Sequence, residues 1–223
     1  KSRELTERTI RERTKQLRKI NDDLQDEIHE RQKVESLQQA LFEISEVAAN
    51  LDEDMQVFYA HLHSIISRLI SAPNCYVATL DSSGEYLEFR YYSDEQHDYP
   101  EKRPLGIGLT ELVLRTGQAE MVNPSRVVEL VESGALDVSL GQSMLNKSNS
   151  WLGSPLVVEG EIYGVIAVQT YSKIHKYTSR DLELLRYVSH HIAVAMERKR
   201  KSEAIQQYTK KLSELVAERT AEL

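Results

Sequence analysis

Apolar residues recur along the first fifty positions at the spacing of a helix seam. Leu17, Ile20 and Leu24 step by three and four, and Leu37, Leu41, Ile44 and Ala48 by four, three and four. The positions between them are dense in Glu, Arg, Lys and Gln, without Gly or Pro. This pattern predicts one long helix over residues 1–50, with too few apolar residues to be buried in a globular core. The two blocks do not share a register, since Leu24 and Leu41 lie 17 residues apart, two heptads plus three. A three-residue slip overwinds a supercoil locally, and here it falls on the weak seam of "HERQKVES".

From residue 51 the pattern changes. "DEDMQVFYAHLHSIISRLI" sets Met55, Phe58, Leu62, Ile65, Ile66 and Leu69 on one helical face, with Asp52 or Asp54 as cap and Pro73 beyond its end. "NCYVATLD" and "YLEFRYY" read as two strands joined by a turn at "DSSGE". "GLTELVLRTG" predicts a short helix after Gly106 and Gly108 that stops at Gly117. A brief strand at "EMVN" and a helix at "SRVVELVESG" capped by Ser125 follow. Two apolar runs in "LGSPLVVEGEIYGVIAVQTY" flank Glu159-Gly160, a hairpin turn, and Gly164 marks a close backbone approach.

The tail predicts a helix capped by Thr178 or Ser179 with Glu183 completing the cap, and Leu182, Leu185, Val188, Ile192 and Ala195 along one face. No breaker follows before Ile205, Tyr208, Leu212 and Leu215, whose steps of three, four and three restore a seam. The domain's last helix and its exit coil therefore read as one rod. The phrase Glu-Arg-Thr-x-x-Leu occurs at Glu12-Arg13-Thr14…Leu17 and again at Glu218-Arg219-Thr220…Leu223. Repeated phrases are repeated parts, here two connectors around one unit of a longer series. The expected organisation is a coiled-coil helix over 1–50, a globular domain over 51–195 and a coiled-coil linker over 196–223. Beginning at Lys1 and ending inside the repeated phrase, the chain reads as a fragment.

The formal net charge of −7 and the interspersion of Lys and Arg with Glu and Asp argue against nucleic acid as a partner. No apolar run approaches a membrane span, so the expectation is a cytoplasmic piece without membrane contact, whose parent could be anchored in the inner membrane upstream. A lone Cys75 permits no disulfide within the chain and no multi-cysteine metal site.

The order helix, hairpin, "PLGIGLTELVLRTGQ", "WLGSPLVVEGEIYGVIAVQTY", "YTSRDLELLRYVSHHIAVAME" resembles a GAF domain over about residues 40–200. It is most similar to the GAF domains of bacterial signalling proteins that feed GGDEF diguanylate cyclases or histidine kinases. The flanks resemble the linkers that join such domains. The resemblance implies an α/β (α+β) fold, a central antiparallel sheet with helices packed on it, flanked by long helices. It also implies a parallel homodimer zipped along those helices, with Leu17, Ile20, Leu24, Leu37, Leu41, Ile44, Ile192, Ile205, Tyr208, Leu212 and Leu215 at the interface. The implied function is a non-catalytic sensor and dimerisation module for a downstream effector in the same parent chain. A diguanylate cyclase making cyclic di-GMP is expected first. A histidine kinase module and a spacer that binds nothing are the alternatives.

In resembling domains a ligand cavity lies between the sheet and the short helices. The polar, aromatic stretch "YYSDEQHDYPEKRPLG" supplies Tyr92, Asp94, Glu95 and Arg103 as candidate ligand contacts, joined by Thr110, Trp151 and Gln169. The alternative has Trp151 plugging the core and Asp94 pairing with Arg103. No cofactor is identified, the ligand is unknown, and the cyclic-nucleotide signature of some GAF domains is absent. Cys75 reads as a structural thiol, without a bilin-attachment motif or a partner cysteine. His190 and His191 are followed by Ile192 and Ala193 rather than by the acidic residue of a phospho-acceptor box. His61, His63, His97 and His175 show no metal-ligand spacing, so no metal site and no catalytic residue are expected. The Gly106–Gly108 pair lacks the Lys of a phosphate loop and reads as a site of positive φ at a helix entry.

Overall fold

The computed structural model describes residues 2–49, 54–96, 98, 102–146, 150–172, 174 and 176–221, with side chains described between Arg11 and Val216. The chain divides into two units, residues 1–40 and residues 41–223. The first is the greater part of α1 (Ser2–Ala49). Ion pairs one turn apart, Arg31 with Glu27 at 2.7 Å and Lys33 with Glu30 at 2.8 Å, run along its surface. Leu17, Ile20 and Leu24 are each more than half exposed, and Leu37 is half-buried.

In the second unit the end of α1 leads to α2 (Met55–Leu69). Glu43 pairs with Arg68, and Ile44 and Ala48 are buried. Asp54 caps α2, its carboxylate accepting from the Gln56 amide at 2.7 Å; Asp52, the other candidate, lies outside the described residues. The strands are β1 (Asn74–Leu80), β2 (Tyr86–Ser93), β3 (Lys102–Pro104), β4 (Glu120–Val122), β5 (Ser150–Val158) and β6 (Glu161–Thr170). Among the described residues they form one antiparallel sheet in the order β3-β2-β1-β6-β5-β4. Glu159 (φ 52°) and Gly160 (φ 87°) make the β5–β6 hairpin turn, both central residues in the left-handed region. At Gly164 a Cβ would run into the Ala78 carbonyl, so β1 and β6 do need the close approach expected there.

Side-chain alternation gives the sheet two faces. On one, Val165 and Ala167 of β6 and Trp151 of β5 pack with α3 (Leu109–Thr116) and α4 (Pro124–Glu132). Ile166, Val168, Leu152 and Leu156 alternate with these and are fully buried on the other face, where α6 (Ser179–Ala221) lies against β5. Ser154 and Ser189 share a buried 2.7 Å hydrogen bond across that contact.

Local details differ from the sequence reading. Asn123, not Ser125, caps α4, accepting from the Arg126 amide at 2.9 Å, while the Ser125 hydroxyl donates to the same oxygen. Thr178 caps α6, but its partner is Asp181 rather than Glu183: the Asp181 carboxylate accepts from the Thr178 amide and hydroxyl, both at 2.8 Å. Helix α5 (Val138–Asn146) and the short edge strand β3 were not anticipated. Neither Gly106 nor Gly108 has a positive φ, and their purpose emerges below. Ile44 and Ile192, expected at an interface between copies, are 1% and 0% exposed within their own chain. The outer face of α6 instead carries Tyr187, His191, Val194, Arg198 and Lys201, in steps of four and three that run unbroken into Ile205, Tyr208, Leu212 and Leu215.

Candidate ligand site

On the face of the sheet opposite α6, strands β1, β2, β5 and β6 meet helices α3 and α5 around a cavity of about 260 Å³. Tyr92, Arg103, Thr110, Trp151 and Gln169 all line it. Asp94 stands behind this wall. Its carboxylate accepts from the Gln169 amide and, at 2.8 Å, from the Tyr171 hydroxyl. Glu95 is turned to Asn74, which accepts from the Glu95 amide at 2.6 Å. His97 and His175 lie outside the described residues.

The aromatic wall follows from a register shift between β1 and β2: Val77 faces Tyr91 and Ala78 faces Phe89, so Arg90 is skipped and Phe89 and Tyr92, three residues apart, share one face. Tyr76 stacks on Tyr92 with ring centroids 6.0 Å apart, and Phe89 meets both edge-on at 5.6 and 5.9 Å. The Trp151 indole donates to the Tyr76 hydroxyl at 3.1 Å, and that hydroxyl shares a second bond with Thr110 at 2.9 Å. Trp151 is thus both a core side chain and a cavity wall. Its ring lies over Gly153, where a Cβ would collide with it. Burial raises the pKa of Tyr76, and burial with the nearby Asp94 charge pushes Tyr92 up to about 12. Burial and the bond to Asp94 raise Tyr171 as well. All three phenols are neutral at physiological pH.

Arg103 does not pair with Asp94. It grips Glu111, on the first turn of α3, through two parallel bonds, Nη1 to Oε1 at 2.5 Å and Nη2 to Oε2 at 3.1 Å. The Gly106 amide donates to the same Oε1 at 2.9 Å. Burial disfavours the Glu111 carboxylate, but the Arg103 bonds, the Gly106 amide and the Arg103 charge outweigh it and hold its pKa below the ordinary glutamate value. A Cβ at Gly108 would sit 2.6 Å from Glu111 Oε2, and one at Gly106 would touch Oε1 at 3.6 Å. Glycine is required at 108 for space, since the ion pair occupies the volume a side chain would take.

Sequence reasoning missed Tyr76, Phe89, Glu111, Tyr171 and the α5 residues Leu140, Ser143 and Met144, all of which line the cavity or anchor its wall. A signal for Glu111 existed: an acidic residue one turn into a helix that opens on paired glycines. Cys75 is buried beneath the opposite sheet face, and burial pushes its thiol up to about 12, which makes it a poor nucleophile. Among the described residues no three His, Cys, Asp or Glu side chains converge as metal ligands, and no helix is long and apolar enough to cross a membrane.

A six-stranded antiparallel sheet with a polar–aromatic cavity on one face and a long helix against the other defines a class of α/β regulatory domain. The family model of the GAF domain matches residues 52–197, and the chain belongs to that family, whose members are sensory and regulatory modules of signalling proteins. Solved structures share the fold at low identity. The GAF domain of a phosphoenolpyruvate-protein phosphotransferase from Coxiella burnetii has a TM-score of 0.57 at 14% identity, over 76% of this chain and 97% of that one. Free methionine-R-sulfoxide reductase from Neisseria meningitidis, in complex with its substrate, has a TM-score of 0.54 at 16% identity over 74% and 91%. The phycoerythrobilin-bound GAF domain of a cyanobacterial phytochrome has a TM-score of 0.53 at 12% identity over 74% and 96%. No functionally curated protein matches the chain in sequence.

Proposed function

We propose that this chain is the sensory and dimerisation module of a bacterial signalling protein, without catalytic activity of its own. A small molecule occupies the cavity, two copies lie parallel along their long helices, and the change in packing passes down α6 to an effector beyond Leu223. The carrying observation is the two-sided character of α6. Its first turns bury Leu185, Val188 and Ile192 in the domain core, and the same unbroken helix ends in an exposed line of Ile205, Tyr208, Leu212 and Leu215. At 43 residues it reaches about 65 Å. The exposed line alternates steps of three and four, which a single helix has no use for and a second copy would bury.

The family supports sensing. The cavity offers hydrogen-bonding groups and aromatic walls in the manner of ligand sites. Solved relatives of this fold include a substrate complex and a bilin complex. A ligand moves such a system only by binding one packing of the helices better than another, and the three-residue slip in α1 is the candidate bistable element. The favoured effector is a diguanylate cyclase, which needs two facing subunits, in the cytoplasm; a histidine kinase is the second reading.

Sedimentation tests the dimer. Wild type is expected to sediment as a dimer, and Leu212→Asp as a monomer with an unchanged near-ultraviolet spectrum. An unchanged dimer in the variant would contradict the proposed seam.

A further inference from the structure

Among the described residues Arg103 uses only part of its hydrogen-bonding capacity. A guanidinium has five N–H donors. The end-on pair, one each from Nη1 and Nη2, is spent on Glu111, and the remaining Nη1 donor reaches the Pro104 carbonyl at 3.2 Å. The side edge, Nε–H with the outer Nη2–H, donates to no described residue. These two bonds are parallel and spaced to fit a carboxylate. Arg103 itself lines the cavity, with its guanidinium carbon 5.9 Å from the Phe89 ring centre and its side chain 38% exposed.

We infer that this cavity takes a small monocarboxylic acid with a flat or apolar body, its carboxylate seated on the open edge of Arg103. The inference rests on reading the cavity as a ligand site. Glu111 fixes the guanidinium from behind, so its open edge is pre-oriented and loses little freedom on binding. Gly108, Leu109 and Thr110 line that end of the cavity. Phe89, Tyr92 and Trp151 supply flat apolar surface for the body. The cavity restricts the ligand to one acid group, because Gln169 and Tyr171 of its lining both donate to the Asp94 carboxylate, which would repel a second. The volume of about 260 Å³ suits a single ring with a short substituent, below the about 300 Å³ where drug-sized sites begin.

The test uses the whole chain and two isosteric probes, benzoate and the neutral benzamide, each to millimolar concentration. Calorimetry gives affinity, and the ¹⁵N resonance of Arg103 Nε reports on the edge itself. The expected result is benzoate binding with displacement of that resonance, benzamide weaker by about tenfold or more, and Arg103→Lys weakened towards benzoate by a similar factor. The resonance measurement needs no variant and holds if Arg103→Lys folds poorly. Equal response to both probes, or benzoate binding that leaves the Nε resonance unmoved, overturns the acid assignment and leaves the sensory reading standing. No response to either probe also overturns the assignment, while a dimeric wild type in sedimentation keeps the module's proposed role separate from that failure.

Discussion

Single residues in this domain carry structural and site roles together, and Trp151 shows it best. It is the chain's one tryptophan, 2% exposed, bonded to Tyr76 and folded over Gly153. Gly153→Ala places a methyl inside the indole. Overpacking of this kind costs about 1–3 kcal/mol, so a lower melting temperature is expected with a red-shifted tryptophan emission. An unshifted emission spectrum would count against the position assigned to the ring. Glu111 makes the second residue-scale prediction. Its folded-state pKa lies below the ordinary 4.5, so the stability it contributes is whole above that value and drains away as pH falls through the lower folded-state pKa. Glu111→Gln should cost about 1–3 kcal/mol at neutral pH, towards the lower end because Arg103 is partly solvated. The gap between wild type and variant should close only in acid, as thermal melts over a pH series will show. A gap that widens on acidification would reverse the assigned sign. Part of the cavity's lining was legible beforehand. Tyr92, Arg103, Thr110, Trp151 and Gln169 are large polar or aromatic residues on strands and helix starts, and they do meet at one cavity. Arg103's true partner was not legible, because Asp94 and Glu111 lie nine and eight residues from it on either side and only the fold of the glycine pair chooses between them.

At the scale of elements, strongly periodic segments matched their reading and weakly patterned ones did not. α2 carries period 3.6 over its length, β1, β2, β5 and β6 are apolar and aromatic runs bounded by turn residues, and each formed as expected. α5, in "VSLGQSMLN", mixes small and polar residues and buries only Gly141 fully, so nothing in its pattern marks a helix. Its role comes from tertiary fit, with a Cβ at Gly141 meeting the side chain of Val131. Helix α6 gives the opposite lesson. A helix with two apolar stripes satisfies a core and a seam at once, and a list of apolar residues cannot say which stripe is which. Ile192 falls on the inner stripe and Val194 on the outer. The pair therefore separates fold from assembly. Ile192→Ala should lose about 2–5 kcal/mol of domain stability. Val194→Asp should leave the melting of the domain near wild type and weaken self-association in sedimentation. Equal effects from both would mean that α6 does not present two distinct faces.

For the whole molecule, cavity and rod sit on opposite faces of one sheet. β5 connects them, with Trp151 at the cavity and Leu152, Ser154 and Leu156 beneath α6, where Ser154 and Ser189 bond. A ligand that shifts Trp151 moves a strand that α6 rests on, a short physical route from chemistry to assembly. The claim on which this account turns is that two copies pair in parallel and in register along the outer stripe of α6. Oxidative cross-linking of two single-cysteine substitutions, Tyr187→Cys near the start of the stripe and Leu215→Cys near its end, tests it most directly, because native Cys75 is buried and does not compete. The account predicts covalent dimers from both variants, whereas an antiparallel pair or a monomer, yielding a dimer from neither, would contradict it.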